Sequence, residues 1–235
     1  AQGDADLGTN IATLVADVVG NLTVSETDNL VIGQNVVTNP GGSGSDINIT
    51  AGGDITGTGR ISAANGASNV TLNATGNITL TSSSGQIVGD VLNITAANAT
   101  VNTSVGALTA NVSGNLVVVE TDDLFIDAAG VTAGNVTITT ENGSLDGGQL
   151  QGGGNITAQN DVTLSINGAI DLTNGGAFGE PGFAAVTAEN LTVTSSDNAV
   201  IDTEIDTLVA NVTGSLTIAK NSSISMGADV EASDS

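Results

Sequence analysis

The residues able to carry out acid–base chemistry in this chain are carboxylates, because the sequence contains no histidine, tyrosine or cysteine. The densest group is Glu120, Asp122 and Asp123, and its spacing appears earlier as Glu26 and Asp28. Clustered carboxylates are what polysaccharide hydrolases use, one as the acid and one as the base or nucleophile. A polysaccharide-active enzyme is therefore one hypothesis that this group raises.

The same positions lose their carboxylates in a later copy of the motif, where Lys220, Ser222 and Ser223 replace them. A lyase would instead need a basic residue beside a metal-bound acidic sugar, but the only cations, Arg60 and Lys220, are far apart in the sequence. We therefore interpret the carboxylate group as a charged turn, and we expect no catalytic residue and no cofactor in this chain.

Calcium is the one ion for which the sequence offers candidate ligands. Residues 41–49 read GGSGSDINI and resemble the calcium-binding nonapeptide G-G-x-G-x-D-x-U-x, although Asn48 takes the aliphatic position and no tandem copy follows. Asp46 in this segment and the adjacent Asp122 and Asp123 could supply oxygen ligands. We expect residues 41–49 to form a glycine-rich corner. We name Asp46, Asp122 and Asp123 as calcium candidates.

Self-similarity shows how the chain is built. Sliding the sequence by 94 places aligns residues 12–32 with residues 106–126, with 12 of 21 positions identical. A shift of 100 aligns residues 102–118 with residues 202–218, with 7 of 17 identical. Repeats of this kind are typical of solenoids, so we predict one continuous array over 1–235, with supra-repeats at about 11–104, 105–204 and, in part, 205–230.

Hydrophobic residues alternate with polar ones in short runs, such as Leu22/Val24 and Leu30/Ile32, which predicts strands of three to five residues. Such strands suit a parallel β-helix, where each strand pairs with the next coil. We predict an all-β, parallel β-helix with roughly 20 residues per coil and on the order of 11 coils. Asn-Gly pairs, among them 142–143 and 167–168, predict left-handed corners.

Composition and charge exclude several classes of partner. The formal net charge is −23, so we expect no binding to nucleic acid. No apolar run approaches the roughly 20 residues of a membrane helix, so we expect no membrane insertion.

The hydrophobic content of 39% includes only 1% aromatic residues, which favours identical aliphatic layers over an irregular core. Without a signal region at Ala1, the chain is interpreted as a mature or excised segment.

Three motifs recur: G-N-[LIV]-T-[LIV], N-T-S-V-x-x-L-x-A and V-x-E-T-D-x-L-x-I. The matching residues include 102–105, 114–116 and 120–122. Together they resemble the repeats of filamentous-haemagglutinin-like giant surface proteins of bacteria, over most of residues 14–218. The resemblance implies secreted right-handed β-helical rods that act as adhesins or surface fibres.

Fifteen N-x-[ST] sequons are typical of a glycoprotein, but the Asn-aliphatic-Thr strand pattern also creates them without any glycosylation. Stacked asparagines at equivalent corners are expected to form hydrogen-bond ladders between coils.

We therefore expect a structural, adhesive protein at the cell surface, outside the cell, which self-associates end to end into a fibre and contacts a neighbouring cell or its glycans by many weak contacts. Two alternatives stay open: a polysaccharide-active β-helix enzyme, and a glycan-binding module or phage-fibre shaft.

Overall fold

The computed structural model describes residues 3–39, 45–63, 68–82, 85–147, 153–174, 184–220 and 223–233. Every regular element within these ranges is a β-strand. The chain divides into two compact units, Ala1–Val119 and Glu120–Ser235, and each is described by itself. The predicted insertion at 174–183 and the glycine-rich loop at 41–46 lie largely outside the described residues.

The first unit contains eleven complete strands, and a twelfth includes the boundary between the units. Their bounds are β1 Ala5–Thr9, β2 Thr13–Val19, β3 Leu22–Glu26, β4 Leu30–Asn39, β5 Ile47–Ala51, β6 Ile55–Gly57, β7 Ile61–Ser62, β8 Val70–Ala74, β9 Asn77–Leu80, β10 Ile87–Ala96, β11 Asn98–Val112 and β12 Asn115–Glu120.

The second unit contains the remaining twelve strands of the described chain. Their bounds are β13 Leu124–Ala133, β14 Asn135–Thr140, β15 Leu145–Gly147, β16 Ile156–Ala158, β17 Asp161–Ile166, β18 Ile170–Leu172, β19 Val186–Thr187, β20 Asn190–Ser195, β21 Ala199–Glu204, β22 Thr207–Thr213, β23 Leu216–Lys220 and β24 Ser225–Ser233.

In the first unit, parallel pairing stacks aliphatic residues on aliphatic residues. Leu22 pairs with Ile47, Ile47 with Val70, and Val70 with Leu92, along β3, β5, β8 and β10. All four side chains are fully buried, whereas the intervening Thr23 is only half-buried. Side chains alternate across a strand, so one face of each strand forms the core and a polar face looks outward.

The second unit repeats this arrangement with its own columns. Val136, Val162 and Leu191 are successive register partners along β14, β17 and β20, and all three are buried. A separate column joins Leu145 of β15 to Ile170 of β18. Because each strand pairs with a strand of the next coil, strands of two or three residues are long enough to be satisfied.

The predicted all-β parallel solenoid is confirmed, with strands stacked about 21 residues apart and about nine turns in the two units together. The number of turns is about nine, where eleven were predicted, and the coils are unequal in length. Residues bonded across neighbouring coils are 16 apart at Thr103 and Val119, but 29 apart at Asp161 and Asn190. The handedness of the coils and the continuous array over the whole chain stay predictions.

The predicted left-handed glycine at two Asn-Gly corners is wrong. Positive φ angles occur elsewhere, for example at Gly20 with φ of 102°, but not at Gly143 or Gly168. At Gly143 a Cβ atom would lie 2.3 Å from the backbone carbon of Asp122 in the neighbouring coil. Glycine is needed there because two corners approach each other closely, a contact that the sequence motif does not reveal.

The buried columns predict the effect of a charge in the core. Leu116 of β12 is 0% exposed, so Leu116→Asp should lower the free energy of unfolding by about 4 kcal/mol or more. The neighbouring Val117 is half-buried on the opposite face, so Val117→Asp should cost under about 1 kcal/mol. Thermal unfolding followed by circular dichroism measures both, and equal melting of Leu116→Asp and the parent would contradict the inward assignment.

Candidate functional site

The predicted ladders of stacked side chains are confirmed at the corners between strands. In the first unit, Asn29 Oδ1 accepts the N–H of Asp54 at 2.7 Å, and Asp54 Oδ1 accepts the N–H of Asn77 at 2.7 Å. Asn98 continues the ladder in both directions, donating from Nδ2 to Asn77 Oδ1 and accepting the N–H of Asn115, each at 2.8 Å. The side chain of each rung thus satisfies a corner of a neighbouring coil.

A second ladder stands immediately before another set of strands in the same unit. Asp4 Oδ1 accepts the N–H of Asn21 at 2.8 Å, and Asn21 Oδ1 accepts the N–H of Asp46 at 3.0 Å. Asp46 Oδ1 accepts the N–H of Asn69 at 2.8 Å. Asp46, named from the sequence as a calcium candidate, therefore uses a carboxylate oxygen as a structural acceptor.

The second unit has a shorter ladder of the same kind. Asp123 Oδ1 accepts the N–H of Ser144 at 2.7 Å, and Ser144 Oγ accepts the N–H of Ala169 at 3.2 Å. Asn198 Oδ1 accepts the N–H of Ser215 at 2.8 Å further along. Asp123 is thus placed as Asp46 is, at the start of a strand with one carboxylate oxygen bonded to the next coil.

Several sequon asparagines belong to these ladders. The Asn135 side chain accepts the N–H of Asp161 at 3.2 Å, and Asn190 donates to the Asp161 carboxylate at 2.8 Å. Asn21 and Asn77 act in the same way. The sequon pattern therefore has a structural use, independent of any glycosylation.

Glu26 is a buried corner carboxylate that accepts four hydrogen bonds at 3.3 Å or less. Its Oε2 accepts the N–H of Ile11 and the hydroxyl of Thr9, each at 2.7 Å. Its Oε1 accepts the N–H groups of Thr27 at 2.8 Å and Asp28 at 3.3 Å. These donors, the N–H of Ile11 foremost, outweigh burial and lower the pKa of Glu26 from 4.5 to about 2.

Glu120 adopts the same conformation at the equivalent position of the second repeat. It is 0% exposed, and its Oε1 accepts the N–H groups of Thr121 at 2.8 Å and Asp122 at 3.3 Å. The E-T-D motif is therefore a turn organised around an inward glutamate. Glu120 lies beneath the surface, whereas Asp122 and Asp123 are exposed, so the three carboxylates do not converge.

Within the described ranges, no group of three or more His, Cys, Asp or Glu side chains has the arrangement of a metal centre. Asp122 is exposed, and its Oδ2 lies 3.5 Å from the hydroxyl oxygen of Thr121. The same described residues form no helix that is long and apolar enough to cross a membrane.

Two further carboxylates lie one above the other on the outward face of the second unit. Asp146 of β15 and Asp171 of β18 are direct register partners in neighbouring coils, and both are half-buried. Burial, followed by the negative charges of Asp171 and Asp123, raises the pKa of Asp146 above its ordinary value of 3.8. The sequence did not reveal this pair, because its members are 25 residues apart and belong to no motif.

A groove of about 310 Å³ opens on another part of the second unit. Its described lining is rich in hydroxyl and amide groups, contributed by Ser165, Thr194, Ser196, Asn167 and Asn211, and includes no charged side chain. A neutral lining of this kind, in a chain of net charge −23, can exchange hydrogen bonds with an uncharged, hydroxyl-rich ligand.

The ladders predict a measurable contribution to stability. Asn98→Ala removes hydrogen bonds to Asn77 and Asn115 and leaves an N–H without its acceptor, so it should cost about 1–2 kcal/mol of unfolding free energy. Asn111 is equally an exposed sequon asparagine. Its side chain makes no hydrogen bond within the described part of the chain, so Asn111→Ala should change stability by under about 0.5 kcal/mol. Equal losses in chemical denaturation would contradict a role for the ladder.

The lowered pKa of Glu26 predicts a pH dependence of stability. The folded value lies below the ordinary 4.5, so ionised Glu26 stabilises the fold above about pH 4.5. That contribution is lost as the pH falls from 4.5 towards 2. Glu26→Gln should therefore melt at a lower temperature than the parent at pH 7, and the difference should shrink between these pH values. A difference that persists unchanged at pH 2 would argue against the assigned hydrogen bonds.

Comparison with protein-family models, curated proteins and solved structures gives no match. The parallel solenoid agrees with a β-helical repeat protein, and membership of the haemagglutinin-like group stays a prediction.

Proposed function

We propose that the chain is a structural, adhesive part of an extracellular cell-surface fibre, and that its solenoid coils associate end to end with those of another copy. The single observation that carries the proposal is that Leu7 and Met226 are exposed although their register partners in the neighbouring coils are buried core residues. Side-chain register identifies those residues and distinguishes them from ordinary exposed residues.

Leu7 is the core-facing residue at the amino-terminal end of the first unit. It is the register partner of Val24, which is 0% exposed, yet Leu7 itself is 38% exposed. Within the described chain, β1 pairs with β3 on one side and offers its other edge to solvent. An uncovered strand edge beside an uncovered core residue is a template for another strand.

Met226 has the same position at the carboxy-terminal end of the second unit. It is the register partner of Leu208, which is 0% exposed, but Met226 is 62% exposed. A coil of a second copy would cover these side chains with the same parallel pairing that operates inside each unit. The two positions are chemically suited to each other, since each offers an exposed apolar side chain.

The net charge of −23 opposes association at low salt and becomes less important as salt screens it. The neutral groove around Ser165 and Thr194 supports a second element of the proposal, contact with uncharged surface glycans. The described lining of the groove includes no aromatic side chain to stack on sugar rings, so each contact would be weak, and a fibre would multiply it.

A catalytic role has less support, because Glu120 and Asp123 of the carboxylate group that suggested it accept structural hydrogen bonds. Glu120 is buried, and its Oε1 accepts backbone N–H groups of its own turn. Asp123 is bonded to the next coil through Oδ1. We therefore propose that the chain is not an enzyme.

End-to-end association can be tested with a matched pair of substitutions. Leu7 and Val31 have nearly equal exposures, 38% and 37%, but Val31 faces outward between Thr13 and Thr56 of neighbouring coils. The parent should form concentration- and salt-dependent assemblies with an axial spacing of about 4.8 Å. Leu7→Asp or Met226→Asp should give monomers, and Val31→Asp should assemble as the parent does.

Light scattering after size exclusion measures the mass, and electron microscopy or fibre diffraction measures the spacing. Circular dichroism verifies that each variant is folded. A parent that stays monomeric at high concentration and high salt would refute self-association and would indicate that flanking coils of a longer chain cover these ends. Loss of assembly in Val31→Asp as well would indicate a lateral contact instead.

A further inference from the structure

One corner of the second unit contains an unusual group of buried polar side chains. Thr173 and Asn174 follow β18, while Asp202 and Thr203 lie in β21, which passes the same corner in the next coil. All four are at least nine-tenths buried, with exposures of 5%, 4%, 8% and 4%. Buried polar side chains also occur elsewhere in the described structure, among them Gln86 and Thr103, but this corner brings together four of them, including a carboxylate.

Asp202 is the carboxylate of this group, and only half of it is satisfied. Its Oδ2 accepts the N–H of Asn174 at 2.8 Å, and the Asn174 side chain in turn donates to Asn155 Oδ1 at 3.0 Å. Its Oδ1 is buried and has no hydrogen-bond partner within the described structure. An unpaired carboxylate oxygen away from water costs substantial free energy, so such an atom calls for a cation or a donor.

The equivalent position in the preceding repeat shows what the solenoid uses when no such partner is needed. The shift of 100 residues places Asn102 where Asp202 stands. The Asn102 amide donates from Nδ2 to the carbonyl of Thr81 at 3.3 Å. An amide thus supplies its own donor at this corner, whereas a carboxylate offers only acceptors. Because Asp202 replaces the amide of Asn102 with a carboxylate, this corner lacks a donor that a cation could replace.

Neighbouring oxygen atoms can act as further ligands of such a cation. The Thr173 hydroxyl donates to Asp171 Oδ1 at 2.9 Å, and Thr173 is one residue beyond the Leu172–Ile201 register pair, which sets it beside Asp202. Asp171 is stacked on Asp146 in the adjacent coil. Two carboxylates are therefore stacked on this face of the second unit.

We propose that Asp202 anchors a calcium site at this corner, with its Oδ1 as a direct ligand and with Asp171, the Thr173 hydroxyl and water completing the shell. The donors are all oxygens, as calcium prefers, and the irregular corner suits its variable geometry better than the strict octahedron of magnesium. Two carboxylates rather than three predict weak binding, with a dissociation constant of about 0.1–1 mM, in the range of extracellular modules. This site is distinct from Asp46, Asp122 and Asp123.

Calorimetric titration of the full chain with calcium chloride tests the site. Roughly 150 mM sodium chloride suppresses diffuse attraction to the acidic surface, since it shortens the screening length to about 8 Å. We expect one calcium ion per chain, and we expect Asp202→Asn, which copies Asn102, to weaken binding at least about tenfold. The matched control is Asp206→Asn, which removes the same charge from an exposed position of the same unit and should bind as the parent does.

Thermal unfolding gives an independent readout. Calcium should raise the midpoint of the parent and of Asp206→Asn but not that of Asp202→Asn, and circular dichroism verifies that each variant is folded. If Asp202→Asn fails to fold, Asp171→Asn takes its place and should also bind more weakly. Absence of binding by the parent up to about 10 mM calcium, or equal weakening by Asp202→Asn and Asp206→Asn, would overturn the proposal.

Discussion

The hydrogen bonds between coils are the interaction on which the rest of this structure depends. Most strands are too short to be stable as an isolated hairpin, and β7 and β19 contain only two residues each. Parallel pairing with the coils before and after satisfies their backbone groups, and the same register brings Leu22, Ile47 and Val70 into one column. Backbone satisfaction and core burial are therefore a single event in each unit, and it is repeated coil by coil.

At the corners, backbone groups need other hydrogen-bond partners, because the ladder of hydrogen bonds between strands is interrupted there. Asn and Asp side chains take over the role of the ladder, and the buried Glu26 and Glu120 organise the E-T-D turns from inside. Much of the acidity of the chain is consequently structural. The N–H groups bonded to Glu26 stabilise its charged form and lower its pKa. Asp202 differs from Glu26, since one of its oxygens is buried without a donor.

The same reasoning separates the surfaces that bear on function. Exposed Leu7 and Met226 lie in register with buried residues, so their exposure results from the absence of a covering coil in the described structure. Val31 is apolar and exposed to the same degree as Leu7, but it lies on an outward position between neighbouring coils. Register therefore distinguishes an exposed core-facing residue from an ordinary surface residue, whereas the exposed fraction alone does not.

Alternating aliphatic residues and the internal repeat determined the strands, the parallel solenoid, the inward position of Leu116 and the asparagine ladders, because each is a local pattern copied along the chain. The fate of each carboxylate was decided by the tertiary structure. Asp146 stacks on Asp171 and Asp202 is enclosed at a corner through contacts with residues of other coils, whereas Glu120 is buried and bonded to the N–H groups of its own turn. Coil lengths vary, so the sequence spacing does not reveal which distant residues meet. Gly143 faces the backbone of Asp122 for the same reason.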